Sequence, residues 1–181
     1  MFRLLYRIRV EGAQHVPRTG GVIVCANHTK AIDPIFLGIA CPRPVQFMAK
    51  QEIFQVPVLG WLVRQLNAFP VDRAGNDRGA LKRSLTVLES GGCFGIFPEG
   101  TRVKSGELGE FHGGTAYLAL KAGAQVVPVG ITPGYKLFET VVVRFGAPVD
   151  LDEFRAGKVN GAVRDAASQR ISEAVAAQVQ G

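Results

Sequence analysis

The sequence has no run that approaches the roughly 18 consecutive apolar residues a helix needs to cross a bilayer, although apolar residues make up 47% of it. It also lacks the marks of a secretory leader. Residues 1–10 alternate Arg with apolar side chains, and no small-residue cleavage site follows. Cysteine is scarce: Cys25, Cys41 and Cys93 leave one thiol over in any disulfide scheme, and their spacing fits no zinc pattern. Cys25 and Cys93 lie in apolar, strand-like runs, so buried, reduced thiols are expected. There is no G-x-S-x-G, which removes the usual serine-nucleophile elbow, and no Gly-Lys-Ser/Thr, which removes a phosphate-binding Walker loop. No internal repeat and no block of like charge is present.

What remains is the pattern of one compact α/β domain. A chain of 181 residues suits a single core spanning 1–181. Lys and Arg number 21 against 15 Asp and Glu, a formal charge of +6, which favours anionic partners such as lipid headgroups, phosphorylated metabolites or nucleic acid. Apolar runs of strand length occur at 21–26, 93–97 and 126–131, and each reads as a strand buried on both faces. Shorter strands are expected at 7–11, 45–49, 68–71 and 140–145. Helices are expected at 34–40, with Pro34 in the first turn, at 78–89, ended by Gly91 and Gly92, at 115–122, stopped by Gly123, and at 163–179, where Val163, Ala167, Ile171 and Val175 form one stripe. Residues 52–66 are apolar and aromatic but broken by Pro57, which predicts two short helices. Strands alternate with helices throughout, so the expected fold is α/β: a mixed, largely parallel sheet flanked by helices. Folds of this type place their sites at strand ends.

Three polar clusters fall at predicted strand ends. The first is Asn27-His28-Thr29-Lys30-Ala31-Ile32-Asp33. His28 is suited to take a proton near neutral pH, and Asp33, five residues on, can hold the other ring nitrogen and stabilise the imidazolium. With no side-chain nucleophile motif beside it, His28 would activate an external hydroxyl or water. The second cluster is Phe97-Pro98-Glu99-Gly100-Thr101-Arg102, where the planar fork of Arg102 suits a phosphate. The third is Phe69-Pro70-Val71-Asp72-Arg73, where Arg73 is either a second phosphate contact or one half of a surface ion pair. A basic nucleic-acid module would need aromatics interleaved with Lys and Arg, or a helix shaped for a groove; the sequence has neither.

Together these clusters resemble the lysophosphatidic acid acyltransferase family, the 1-acylglycerol-3-phosphate acyltransferases. The resemblance runs from about residue 10 to 149. His28 and Asp33 match its first motif, H-x-x-x-x-D. Glu99, Gly100, Thr101 and Arg102 match the third, down to the preceding Phe97-Pro98, and Val127-Pro128-Val129-Gly130-Ile131 looks like the fourth. The second motif keeps Arg73, but Asn67 stands where Gly is usual. After the third motif, relatives often carry Phe-Lys-x-Gly, whereas this chain has Phe111-His112-Gly113-Gly114.

The resemblance implies a glycerolipid acyltransferase-like fold and catalysis by His28 and Asp33, with substrate binding by Arg73, Glu99, Gly100, Thr101 and Arg102. It implies no metal and no cofactor beyond the acyl donor. The reaction implied moves a fatty acyl chain from acyl-CoA or acyl carrier protein to the free hydroxyl of a lysophospholipid, 1-acyl-glycerol 3-phosphate giving phosphatidic acid. Glycerol 3-phosphate or another lysolipid remains open as the acceptor. A lipid substrate implies a cytoplasmic enzyme, peripheral at the inner face of the cell membrane. Residues 54–69, with Trp61, Lys50 and Arg64, are either its membrane-facing surface or a buried helix pair.

Overall fold

The computed structural model describes residues 7–71, 78–102, 108–132 and 139–181. Seven strands form one sheet: β1 (Arg7–Glu11), β2 (Val22–Ala26), β3 (Val45–Lys50), β4 (Phe69–Val71), β5 (Cys93–Ile96), β6 (Gln125–Thr132) and β7 (Thr140–Phe145). Their order is β1-β7-β6-β2-β5-β3-β4. Every neighbouring pair is parallel except β6 with β7. Among the described residues five α-helices accompany them: α1 (Asp33–Ala40), α2 (Pro57–Gln65), α3 (Arg78–Glu89), α4 (Gly114–Ala122) and α5 (Gly161–Gln180). The sheet is therefore mixed and mostly parallel, as the alternation of elements requires.

The central strand β2 explains its own composition. Val22, Val24 and Ala26 face a core shared with Phe36 and Leu37 of α1, while Ile23 and Cys25 face a second core shared with α4 and α5. All five residues are fully buried. A strand covered on both faces has no polar side, so it reads as a continuous apolar run. Burying each Val or Ile contributes about 1.5–3 kcal/mol. All three cysteines are buried and free, two of them within these strands.

The predicted stripe on α5 is also present: Ala167, Ile171 and Val175 are fully buried and Val163 packs beside them. The helix starts two residues earlier than its apolar pattern suggests, because Asn160 caps it. The Asn160 side chain accepts a hydrogen bond from Val163 N at 2.9 Å. Residues 52–66 divide at Pro57 as expected, into a 3-10 turn over Gln51–Gln55 and α2. They do not form a buried pair, since Trp61 is 60% exposed.

The parallel strands β6, β2, β5, β3 and β4 share one direction, so their C-terminal ends line one edge of the sheet. Residues 27–33 follow β2 at that edge and residues 97–102 follow β5.

Candidate active site

At the end of β2 the main chain leaves the sheet while the side chain of Asn27 stays in it. Asn27 Nδ2 donates to Ile131 O at 3.0 Å, and Ile131 N donates to Asn27 Oδ1 at 2.8 Å. Ala26 is paired with Val129 one rung earlier, so the amide supplies the next rungs of the β2–β6 ladder. Both peptide groups of Ile131 are thereby satisfied in a buried place where an unpaired group would be costly. The backbone is freed to turn, and it presents His28.

His28 is held on three sides. Its ring Nδ1 lies 3.1 Å from Asp33 Oδ2. Its backbone N–H points at Glu99 Oε1 at 3.4 Å. The Phe97 ring covers its face, with centroids 4.4 Å apart and planes inclined by 30°. Phe97 is in turn aligned with Phe47. With Nδ1 engaged by Asp33, Nε2 is the ring nitrogen left to take a proton. The side chain of His28 keeps 18% of its exposure, so the imidazole is not sealed from solvent.

Asp33 is fully buried at the first position of α1. Its Oδ2 accepts from Thr29 N and Lys30 N, both at 2.7 Å, as well as facing the imidazole. Two short backbone bonds fix the carboxylate before the histidine is considered. One atom both closes the 29–33 loop and orients the imidazole. Five residues separate His28 from Asp33 because that is the length of this loop plus the helix start.

Glu99 sits opposite, 5% exposed. Burial pushes its carboxyl above the usual range; the backbone N–H and charge of His28 and the backbone N–H of Gly109 oppose the rise, and the charge of Asp33 adds to it. Its Oε2 is buried with no partner among the described residues. The turn that carries Glu99 is closed by Gly100 N to Phe97 O at 3.1 Å, and His112 N reaches Pro98 O at 3.1 Å. Gly100 has φ +67°, in the left-handed region, and a Cβ there would stand 3.2 Å from the His112 ring. His112 therefore flanks the 97–100 turn.

The structure thus brings His28, Asp33 and Glu99 together, with Gly100 shaping the turn beside them. Thr101 and Arg102 follow at once and are exposed. Arg73 lies outside the described residues. Sequence reasoning did not assign Phe97 a role as the wall of the imidazole, or Asn27 one as the anchor of its loop. Both stand inside motifs already singled out, and only the pairing of β2 with β5 and β6 shows what they touch.

A family model described as Acyltransferase matches residues 7–132. The chain belongs to the acyltransferase family. The match covers β1 through β6, and with them every residue of the His28 site.

A 1-acyl-sn-glycerol-3-phosphate acyltransferase of Bacillus subtilis is 29% identical over 175 residues, covering 92% of this chain and 87% of that protein. A chloroplastic protein of the same description from Arabidopsis thaliana is 31% identical over 138 residues, covering 75% of this chain and 38% of that protein. This acyltransferase-family chain therefore spans well under half of the plant relative. Among solved structures, the 1-acyl-sn-glycerophosphate acyltransferase PlsC of Thermotoga maritima is similar in fold, with a TM-score of 0.71 at 29% identity. The match covers 95% of this chain and 72% of that one.

Proposed function

We propose that the protein, as one acyltransferase domain over residues 1–181, transfers a fatty acyl chain from a thioester to the free hydroxyl of 1-acyl-glycerol 3-phosphate, giving phosphatidic acid. The observation that carries this is the His28–Asp33 pair, 3.1 Å apart, with the imidazole partly exposed and no side-chain nucleophile motif in the chain. The acceptor class rests on the names of the relatives.

His28 Nε2 removes the proton of the acceptor hydroxyl as its oxygen attacks the thioester carbonyl. Asp33 holds the imidazole in the tautomer with Nδ1 protonated and stabilises the imidazolium. The tetrahedral adduct collapses, the carbon–sulfur bond breaks, and the thiolate leaves with the proton returned from His28. Arg102, with Arg73, holds the acceptor phosphate and so positions the hydroxyl. Glu99, Gly100 and Thr101 complete that side of the pocket. The donor is acyl-CoA or an acylated carrier protein. The place of action is the cytoplasmic face of the cell membrane, where the acceptor resides.

The test is an assay of purified protein with labelled acyl-CoA or acyl carrier protein and a panel of acceptors: 1-acyl-glycerol 3-phosphate, other lysophospholipids and glycerol 3-phosphate. Phosphatidic acid is the expected labelled product, and His28→Ala should reduce turnover by at least ~10². Release of free fatty acid at the same rate without an acceptor would replace this reading with thioester hydrolysis.

A further inference from the structure

The 3-10 turn Gln51–Gln55 and helix α2 leave the C-terminal end of β3, at the edge of the sheet that carries His28 and Glu99. Helix α2 packs inward through Gly60, where a Cβ would stand 2.5 Å from the carbonyl oxygen of Phe54. Arg64 Nη2 donates to the same oxygen at 3.1 Å, and its guanidinium lies 5.7 Å from the Phe54 ring centroid. These contacts fix which side of α2 turns outward. That side carries Val58, 79% exposed, and Trp61, 60% exposed, three residues apart and so neighbours on one helical face. Val56 and Leu59 are exposed beside them. The other large apolar side chains exposed among the described residues are Val10 and Leu81.

We propose that this face docks on an anionic lipid bilayer, with Val58 and Trp61 entering the headgroup boundary and the surrounding cations meeting lipid phosphates. The proposal rests on the lysolipid reading of the His28 site. Charge selects the occupant. Exposed Lys50 precedes the turn, and exposed Arg78, Lys82 and Arg83 lie on α3. Arg83 stands over the ring of Phe69 in β4, the strand next to β3, which places α3 on the same flank. Glu52 in the turn and Glu89 at the far end of α3 are the exposed acidic residues on these elements among the described residues. An apolar patch ringed by cations matches an anionic membrane surface. A second copy seated on the patch would instead bring these like charges of both molecules together. Position agrees with charge: docking here turns the sheet edge that bears His28 toward the membrane.

Trp61 is the single tryptophan, so its emission reports the patch directly. Vesicles of phosphatidylglycerol and phosphatidylcholine should co-sediment the protein and shift Trp61 emission to the blue. Pure phosphatidylcholine or raised salt should weaken both effects. Val58→Asp should reduce partitioning at least ~10-fold and leave the melting temperature within about 2 °C, because the position is exposed. In activity, Val58→Asp should match wild type on a short-chain acceptor dispersed below its micellar concentration. It should fall at least ~10-fold on the same acceptor class embedded in vesicles. Unshifted Trp61 emission in vesicle-bound protein, or unchanged partitioning of Val58→Asp, would overturn the proposal. So would concentration-dependent dimerisation abolished by Val58→Asp, which would assign the face to a second copy. If wild type is inactive on both acceptor forms, the reaction assigned to His28 fails, while the vesicle and fluorescence measurements still decide the docking face.

Discussion

Asp33→Asn separates the two tasks that the structure assigns to one oxygen. Thr29 N, Lys30 N and His28 Nδ1 all converge on Oδ2, at 2.7, 2.7 and 3.1 Å. An asparagine carbonyl placed at that point accepts from the same three donors, so the loop and the tautomer survive while the charge is lost. The charge matters only when His28 becomes an imidazolium. Two unit charges about 4 Å apart interact by about 4 kcal/mol at an effective dielectric near 20. Asp33 is fully buried and His28 mostly so, which puts the pair near that regime. A loss of about 3–4 kcal/mol in the transition state is about two to three decades in kcat. Stability should fall by less than about 1 kcal/mol, or roughly 2–4 °C in melting temperature for a chain of this size. Asp33→Ala removes the acceptor itself and should cost about 1–3 kcal/mol more. The assay is kcat by release of free thiol at saturating acceptor, with thermal unfolding of the same samples. Asn as destabilising as Ala but with kcat intact would refute the reasoning, because the carboxylate would then be structural alone.

Three further outcomes are expected. Glu99 binds its proton more tightly folded than unfolded, so stability should decline as pH rises from about the ordinary value of 4.5 through the raised folded value. Glu99→Gln, which mimics the protonated carboxyl, should gain on wild type between pH 4 and pH 8 in denaturant titrations; an equal difference at both pH values would contradict the buried-carboxyl assignment. Arg102→Ala should lower kcat/KM for a phosphate-bearing acceptor by about one to two decades, the equivalent of about 1.5–3 kcal/mol for a charge-assisted contact, with Arg102→Lys recovering part of it. A rise in donor KM with acceptor KM unchanged would move Arg102 to the donor. Asn27→Ala leaves the buried N–H and C=O of Ile131 without their side-chain partner and should cost about 2–4 kcal/mol, read as a fall in melting temperature; an unchanged melting temperature would show that the two rungs to Ile131 do not hold this loop.

Much of this protein was legible in its sequence because the signals are local. The run from Val22 to Ala26 is apolar at every position, which only a strand covered on both faces tolerates. Helix α5 shows its stripe and the Gly after α4 shows its stop. The His28–Asp33 spacing is likewise local: a loop of fixed length closed by two backbone bonds to the carboxylate needs no distant partner. The order of clusters at strand ends located the site along the chain, since a parallel sheet gathers the C-terminal ends of its strands on one edge. The sequence therefore determined the class of fold, the pairing of His28 with Asp33 and the turn that accompanies it.

Contacts between remote segments were decided only by the tertiary structure. Asn27 meets Ile131 across 104 positions, and the His28 backbone meets Glu99 across 71. Neither pairing can be read from periodicity, because strand order is set by how β2 is sandwiched between β5 and β6. The same holds for residues 54–69, whose composition fits a buried pair and an exposed face equally. Gly60 settled the matter: it lets α2 lie against Phe54 by one side, and a helix held by that side has to turn Val58 and Trp61 outward. Periodicity records which residues share a face, but which face is covered depends on neighbours supplied by the rest of the chain.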